Sequence, residues 1–221
     1  MLSELRKIKS FVCRQGRVTV GQQHALHDLL PIYSINYQTT AIDLGSAFGR
    51  NNPKVIEIGF GMGHATWQIA KDNPECDYLG IEVHTPGVGS LLMFARDNQL
   101  HNLRVIQHDA VEVLHHMIAD NSISGFHIFF PDPWPKKRHH KRRIIQSEFI
   151  NLLGDKLKTG AYVHIATDWE DYANWIIDVF KTNSRFIHEL DTNNTRPLTK
   201  FEQRGMRLGH QIWDFYFKKV S

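Results

Sequence analysis

The chain has 221 residues, of which 42% are hydrophobic and 22% charged, enough for one domain with a substantial core and too weakly charged for disorder. Its 26 Lys and Arg against 23 Asp and Glu leave a net charge of +3, so composition alone does not mark a nucleic-acid binder, and the placement of the charges matters more. Cys13 and Cys76 stand alone, which argues against a disulfide framework or structural zinc, while a charged start and the lack of any run near ~20 apolar residues argue against a signal peptide or membrane span. The expectation is a cytoplasmic protein.

Residues 1–50 show mixed polarity without strong periodicity, and carry Arg6, Lys7, Lys9, Arg14 and Arg17 near their beginning. They read as a basic extension packed on the main domain of residues 51–221, disordered in part at the front. From Lys54, short apolar runs alternate with helical patterns. The strand candidates are Lys54–Glu57, Asp77–Glu82, Leu103–His108, Gly125–Phe130 and Ala161–Thr167. Between and after the last two, Ile145, Phe149, Leu152, Leu153 and Leu157, and then Trp169, Tyr172, Ala173, Ile176 and Phe180, recur at helical steps. Thr167-x-x-Glu170 has the spacing of a capping box for the second of these helices. Phe186–Leu190 and Gln211–Lys218 are two final strands with no helix between them. This pattern predicts an α/β fold with a mostly parallel sheet, helices on both faces and one antiparallel strand.

Chemistry concentrates at the ends of the strands. Gly59, Gly61 and Gly63 follow the first strand directly, a loop that turns tightly and lets a ligand approach the backbone. A dinucleotide loop of the GxGxxG type would place glycine at position 64, where His64 stands, so the loop suits S-adenosylmethionine better. Glu57, between two isoleucines of a buried strand, is placed to meet the cationic methionine part of that cofactor; pairing with a nearby Lys or Arg is the alternative. Glu82 ends the second strand about 20 residues past the glycines, where a carboxylate can accept both ribose hydroxyls, or simply be solvated. Asp109 is either an acceptor for the adenine amino group or the N-cap of the following helix.

After the fourth strand comes Phe129-Phe-Pro-Asp-Pro-Trp-Pro. Pro131, Pro133 and Pro135 stiffen this stretch and hold Asp132 and Trp134 at the carboxyl edge of the sheet, where open α/β folds bind ligands. Lys136 to Arg143 then packs six Lys or Arg into eight residues, a run suited to phosphate contacts. Asp168 follows the fifth strand, and Thr199-Lys-Phe-Glu-Gln-Arg-Gly precedes the last; taken alone, these are a helix N-terminus and a polar loop. The 14 histidines include the adjacent pairs His115-His116 and His139-His140, a poor spacing for one metal, so no metal site is expected.

Taken together, Ile56–Gly63, Gly80–His84, His108–Ala110, Phe130–Trp134, Arg138–Arg143, Ala166–Trp169 and Thr199–Gly205 resemble, in the same order, the bacterial tRNA (guanine-N7-)-methyltransferases. The resemblance runs from about Ser10 to the end. It implies the class I S-adenosylmethionine-dependent methyltransferase fold, a Rossmann-like, seven-stranded sheet, and methylation of a guanosine in the tRNA variable loop. It implies cofactor contacts from Glu57, Gly59, Gly61, Gly63, Glu82, Asp109 and Asp132, with Asp132 also catalytic. Lys136, Asp168, Thr199, Lys200, Phe201 and Glu202 correspond to substrate-binding positions. Arg138, His139, His140, Lys141, Arg142 and Arg143 correspond to the RNA-contacting stretch. Val20 stands where relatives often carry lysine, and the loop before Arg196 is short. A methyltransferase acting on another base or a non-RNA substrate, or a non-catalytic RNA-binding module, is the alternative function. The expected assembly is a monomer, with a homodimer as the alternative.

Overall fold

The computed structural model describes residues 9–12, 16–190, 196–197, 202 and 211–221. Arg6, Lys7, Arg14 and the expectation of disorder at the front lie outside them. Seven strands form one sheet in the order β3-β2-β1-β4-β5-β7-β6. They are β1 (Lys54–Ile58), β2 (Asp77–Ile81), β3 (Leu103–Ile106), β4 (Ile123–Phe129), β5 (Leu157–Thr167), β6 (Phe186–Glu189) and β7 (Trp213–Lys219). β1 to β5 pair in parallel, and β7 runs antiparallel between β5 and β6. Parallel neighbours need crossovers, which α3 (His64–Asp72), α4 (Thr85–Asp97), α5 (Ala110–His116) and α6 (Ser147–Lys156) supply. α7 (Glu170–Lys181) then leads to β6. Strands covered on both faces read as continuous apolar runs, and all five residues of β1 are buried accordingly.

One large core packs α5, α6 and α7 against one side of the sheet, and a second packs α3 and α4 against the other. The chain leaves β1 toward β2 and β3 on one side and returns to β4 and β5 on the other. The carboxyl ends of β1 and β4 therefore open a crevice at the point where strand order reverses, the usual ligand site of such sheets.

Three details differ from the sequence expectations. The extension contains a 14-residue helix, α1 (Val20–Tyr33), followed by the short α2 (Leu44–Phe48). Thr19 and Gln22 close a capping box at its start: the Thr19 amide donates to Gln22 Oε1 at 2.9 Å, and the Gln22 amide to Thr19 Oγ1 at 3.3 Å. Only Gln22, Ala25 and Leu29 are buried, and Gln22 spends its amide on Pro86 O at 3.0 Å. Gly89 lets α1 approach α4 so closely, since a Cβ there would lie 2.9 Å from that of Gln22. A face this narrow, with a polar residue at its centre, leaves little apolar period to read.

Secondly, Thr167-x-x-Glu170 does not cap α7. Thr167 is still in register with Trp213 of β7, so the turn comes later and Trp169 is the N-cap, its amide donating to Thr167 Oγ1 at 3.3 Å. Thirdly, β4 and β5 begin earlier than their apolar runs, because Ile123 pairs with Leu157 ahead of a bulge.

Candidate active site

The crevice holds a cavity of about 530 Å³, within the usual range for a small-molecule site. Its floor is the glycine loop. Gly59, Gly61 and Gly63 have φ of +74°, +56° and +76°, a region where a side chain would be strained. Gly63 ends the loop as N-cap of α3, packed so tightly that a Cβ would meet Leu91 at 2.8 Å. Gly59 and Gly61 line the cavity, with nothing within 4 Å of where a Cβ would stand.

Three carboxylates reach the same cavity from three strand ends. Glu82, just past β2, accepts from the Gly61 amide at 2.8 Å through one oxygen. Its other oxygen accepts from the amides of Val83 at 2.7 Å and His84 at 3.0 Å. Charge-assisted bonds of this kind fasten the loop to the end of β2. Asp109 is the N-cap of α5, accepting from the Val111 amide at 3.0 Å, and it also lines the cavity. Lys9 of the extension lies 3.9 Å from its carboxylate.

Glu57 differs in kind. It is 3% exposed, and its Oε2 has no hydrogen-bond partner among the described residues. Burial pushes its pKa up to about 8, the Thr66 hydroxyl offsets part of this, and the charge of Glu82 adds to it. Burial of this kind favours the neutral carboxyl, so a cation placed beside Glu57 would shift it toward the ionised form.

The wall opposite the glycines is the turn after β4. Phe130 and Trp134 both adopt positive φ, +52° and +46°, uncommon for large side chains and concentrated at functional sites. The turn is held from several directions. The Phe130 amide donates to Ala166 O at 2.8 Å, the Trp134 indole to Ser10 O at 3.1 Å, and Arg143 Nε to Pro133 O at 2.9 Å. Between these anchors Asp132 is exposed and lines the cavity.

Of the expected substrate positions, Lys136, Asp168 and Glu202 lie outside this lining, and Thr199, Lys200 and Phe201 fall outside the described residues. Asp168 follows β5, the strand beside β4, and is half-buried. Glu202 is buried and bonded to Arg196 NH1 at 2.5 Å. The structure also brings Phe11, Phe60, His64, His108 and Ile144 to the cavity. Phe60 lies inside the glycine loop, and His64 and His108 adjoin that loop and Asp109, whereas nothing in the local sequence marks Phe11 or Ile144.

The basic run forms a 3₁₀ turn over Lys137–Arg142, beside Asp132. Lys136, Lys137, Arg138 and Lys141 are exposed, and Arg142 lies over the Trp134 ring at 5.0 Å. Desolvation, reinforced by the Arg138 and Arg142 charges, lowers the pKa of His139. Arg143 departs from the expectation of an RNA contact. It is 2% exposed, paired with Asp171, and stacked against Tyr172 at 4.9 Å and Trp175 at 5.4 Å. Its guanidinium braces the turn from inside, because the rings of α7 cover it.

A family model described as "Putative methyltransferase" matches residues 51–215. The tRNA (guanine-N(7)-)-methyltransferase of Methylobacillus flagellatus is 56% identical over 219 residues, covering 97% of this chain and 92% of that one. The protein of the same name from Chromobacterium violaceum is 53% identical over 218 residues, covering 97% and 96%. The chain belongs to the tRNA (guanine-N(7)-)-methyltransferase family. The sheet described above is shared with more distant methyltransferases. The 16S rRNA methyltransferase KamB superposes with a TM-score of 0.58 at 11% identity, over 83% of this chain and 96% of that one, a likeness of fold alone. The expected class I methyltransferase fold, seven strands with one antiparallel, is the fold observed. Among the described residues, no group of His, Cys, Asp and Glu could hold a metal ion, and no helix is long and apolar enough to cross a membrane.

Proposed function

We propose that the protein transfers the methyl group of S-adenosylmethionine to N7 of a guanosine in the variable loop of tRNA. The observation that carries this reading is one cavity that joins the glycine loop, three carboxylates at strand ends and the Asp132 turn, directly beside an exposed basic turn. Its relatives of 56% and 53% identity carry the corresponding name.

The residues fit the cofactor. The orphaned, buried Oε2 of Glu57 supplies an acceptor for its ammonium group, and that cation would return Glu57 to the ionised form. Glu82 presents two carboxylate oxygens, already aligned by backbone amides, to a ribose diol. Asp109, which lines the same cavity, is the acceptor this reading assigns to the adenine amino group. When bound, S-adenosylmethionine supplies an electrophilic methyl group on a sulfonium.

Guanine N7 carries an in-plane lone pair and no proton, so no general base is needed for its attack. The ring becomes cationic as the bond forms. Asp132, held at the cavity edge by a turn with few internal freedoms, orients the guanine and stabilises that developing charge. Lys136, Lys137, Arg138, Lys141 and Arg142 hold the RNA backbone beside it.

The test is to incubate the purified protein with labelled S-adenosylmethionine and an unmodified tRNA transcript, alongside a transcript whose variable-loop guanosine is adenosine. Label in the first only, with strand cleavage at that site after borohydride and aniline, is the expected result. Equal labelling of both would move the reaction to another base. No labelling while cofactor binding is intact would overturn the choice of substrate.

A further inference from the structure

Arg196 joins three parts of the molecule that are distant in sequence. Its side chain is 5% exposed. Nε and NH2 donate to the two oxygens of Asp214 on β7, at 2.9 and 2.8 Å, and NH1 donates to Glu202 at 2.5 Å. The central carbon of the guanidinium lies over the rings of Phe129 and Phe130, 5.4 and 5.1 Å from their centroids. Asp214 is itself bonded to His164 Nε2 at 2.8 Å, so the chain of contacts continues into β5. These bonds overcome the burial that disfavours a charged Arg196, and its pKa is raised; they likewise hold the Asp214 carboxyl below its ordinary value.

An arginine taken out of water is costly unless all its contacts are made, and here they are made to groups with a bearing on the site. Phe130 is the positive-φ residue from which Pro131 and Asp132 depart. Glu202 ends the Thr199–Glu202 segment to which the family resemblance assigns substrate binding. A lysine would carry the charge without the fork or the flat face, and so could not clamp Asp214, reach Glu202 and cover two rings at once.

We infer that Arg196 is a positioning residue for methyl transfer, clamped by Asp214, which fixes Glu202 relative to the Phe130–Asp132 turn. This rests on the function proposed above, in which the guanosine enters beside Asp132. Arg196 touches neither reacting atom in this role; it acts through Glu202 and Phe130. Loss of the clamp is expected to leave the glycine loop, Glu57 and Glu82 in place, because the hydrogen bonds of Arg196 go to Asp214 and Glu202.

The test uses the full chain and a tRNA transcript that the unaltered protein methylates, with Arg196→Lys, Glu202→Gln and the double variant. Arg196→Lys is expected to lower kcat at saturating tRNA by about 100-fold, the scale of a misplaced reactant. Its affinity for S-adenosylmethionine should stay within about twofold of the unaltered chain, and the double variant should fall no more than about twofold below the worse single one, since coupled residues fail as a unit. Losses that multiply in the double variant, cofactor affinity that falls in step with kcat, or Arg196→Lys turnover at the unaltered rate would each overturn the role. If Arg196→Lys does not fold, Asp214→Asn, which loosens the clamp from its outer side, takes its place in the same cycle with the same expectations. Failure of the unaltered chain to methylate any tRNA would overturn the proposed function, and the role of Arg196 with it. Methylation by the unaltered chain with independent losses would overturn the role of Arg196 alone.

Discussion

The Glu82 carboxylate and the Gly61 amide, 21 residues apart in sequence, meet at 2.8 Å, so the residue expected to hold the cofactor ribose also holds the loop beneath it. Glu82→Gln keeps the shape but sets an NH2 group against a backbone N–H whichever way the amide turns, because both oxygens accept from amides. Hydrogen bonds to a charged group contribute about 1.5–3 kcal/mol, so the dissociation constant for S-adenosylmethionine should rise roughly 10- to 100-fold. Titration calorimetry measures it, and an unchanged constant would remove Glu82 from the site.

If Glu57 meets the ammonium group of the cofactor as proposed, binding depends on pH. Its carboxyl, raised to about 8 by burial, is protonated in the free protein at neutral pH and must ionise to meet an ammonium group. Affinity for S-adenosylmethionine should therefore increase with pH by up to about tenfold per unit between about pH 6 and the point near pH 8 where the cofactor's own α-ammonium begins to lose its proton. Glu57→Gln should bind more weakly at pH 8.5 and show a flat profile; a slope that survives the substitution assigns the proton elsewhere.

The same group has the opposite effect on the stability of the free protein. Its folded pKa lies above the unfolded value, so the folded state binds the extra proton between about pH 4.5 and pH 8, and stability contributed by this group is lost as pH rises through that window. Denaturant unfolding at pH 5.5 and 8 should show a drop for the unaltered chain that is smaller in Glu57→Gln. An equal drop in both would mean that Glu57 is not desolvated in solution.

Asp132→Asn removes the charge and preserves the shape. If Asp132 orients guanine and stabilises the cationic ring, kcat should fall by about 100-fold or more while cofactor affinity changes little, since the interaction forms only as the methyl moves. Single-turnover kinetics with tRNA provide the check, and near-unaltered turnover would assign stabilisation of the ring to another group.

The basic turn divides into two kinds of arginine and lysine. Neutralising Lys136, Lys137, Arg138 or Lys141 singly should weaken tRNA binding and reduce the slope of log K against log salt by about 1 for each phosphate no longer neutralised. Arg143→Ala should instead lower stability by about 2 kcal/mol or more, because it removes the bonds to Asp171 and Pro133 and the packing on Tyr172 and Trp175. Arg143→Ala with unchanged stability and a lower salt slope would return that residue to the RNA-contacting set.

Features that arise within a few residues of chain were legible from the sequence. The alternation of strands and helices, the glycine loop and the stiff Pro131–Pro135 segment follow from side-chain period, from glycine's freedom at positive φ and from the fixed φ of proline, all local properties. The antiparallel end was legible for a similar reason, since Phe186–Leu190 and Gln211–Lys218 have no helix to carry a crossover. Only the tertiary structure decided what depends on partners far along the chain. Helix α1 is held through Gln22 on Pro86 and close approach to Gly89, and its own sequence shows little apolar period. Arg143 reads as one more cation in a basic run until Tyr172, Trp175 and Asp171 close over it. Glu57 is acidic in any sequence, but the pKa of about 8 comes from the strands and helix that exclude water around it. Chain order sets which backbone shapes are available, whereas burial and charge pairing are sums over neighbours that only the folded chain brings together.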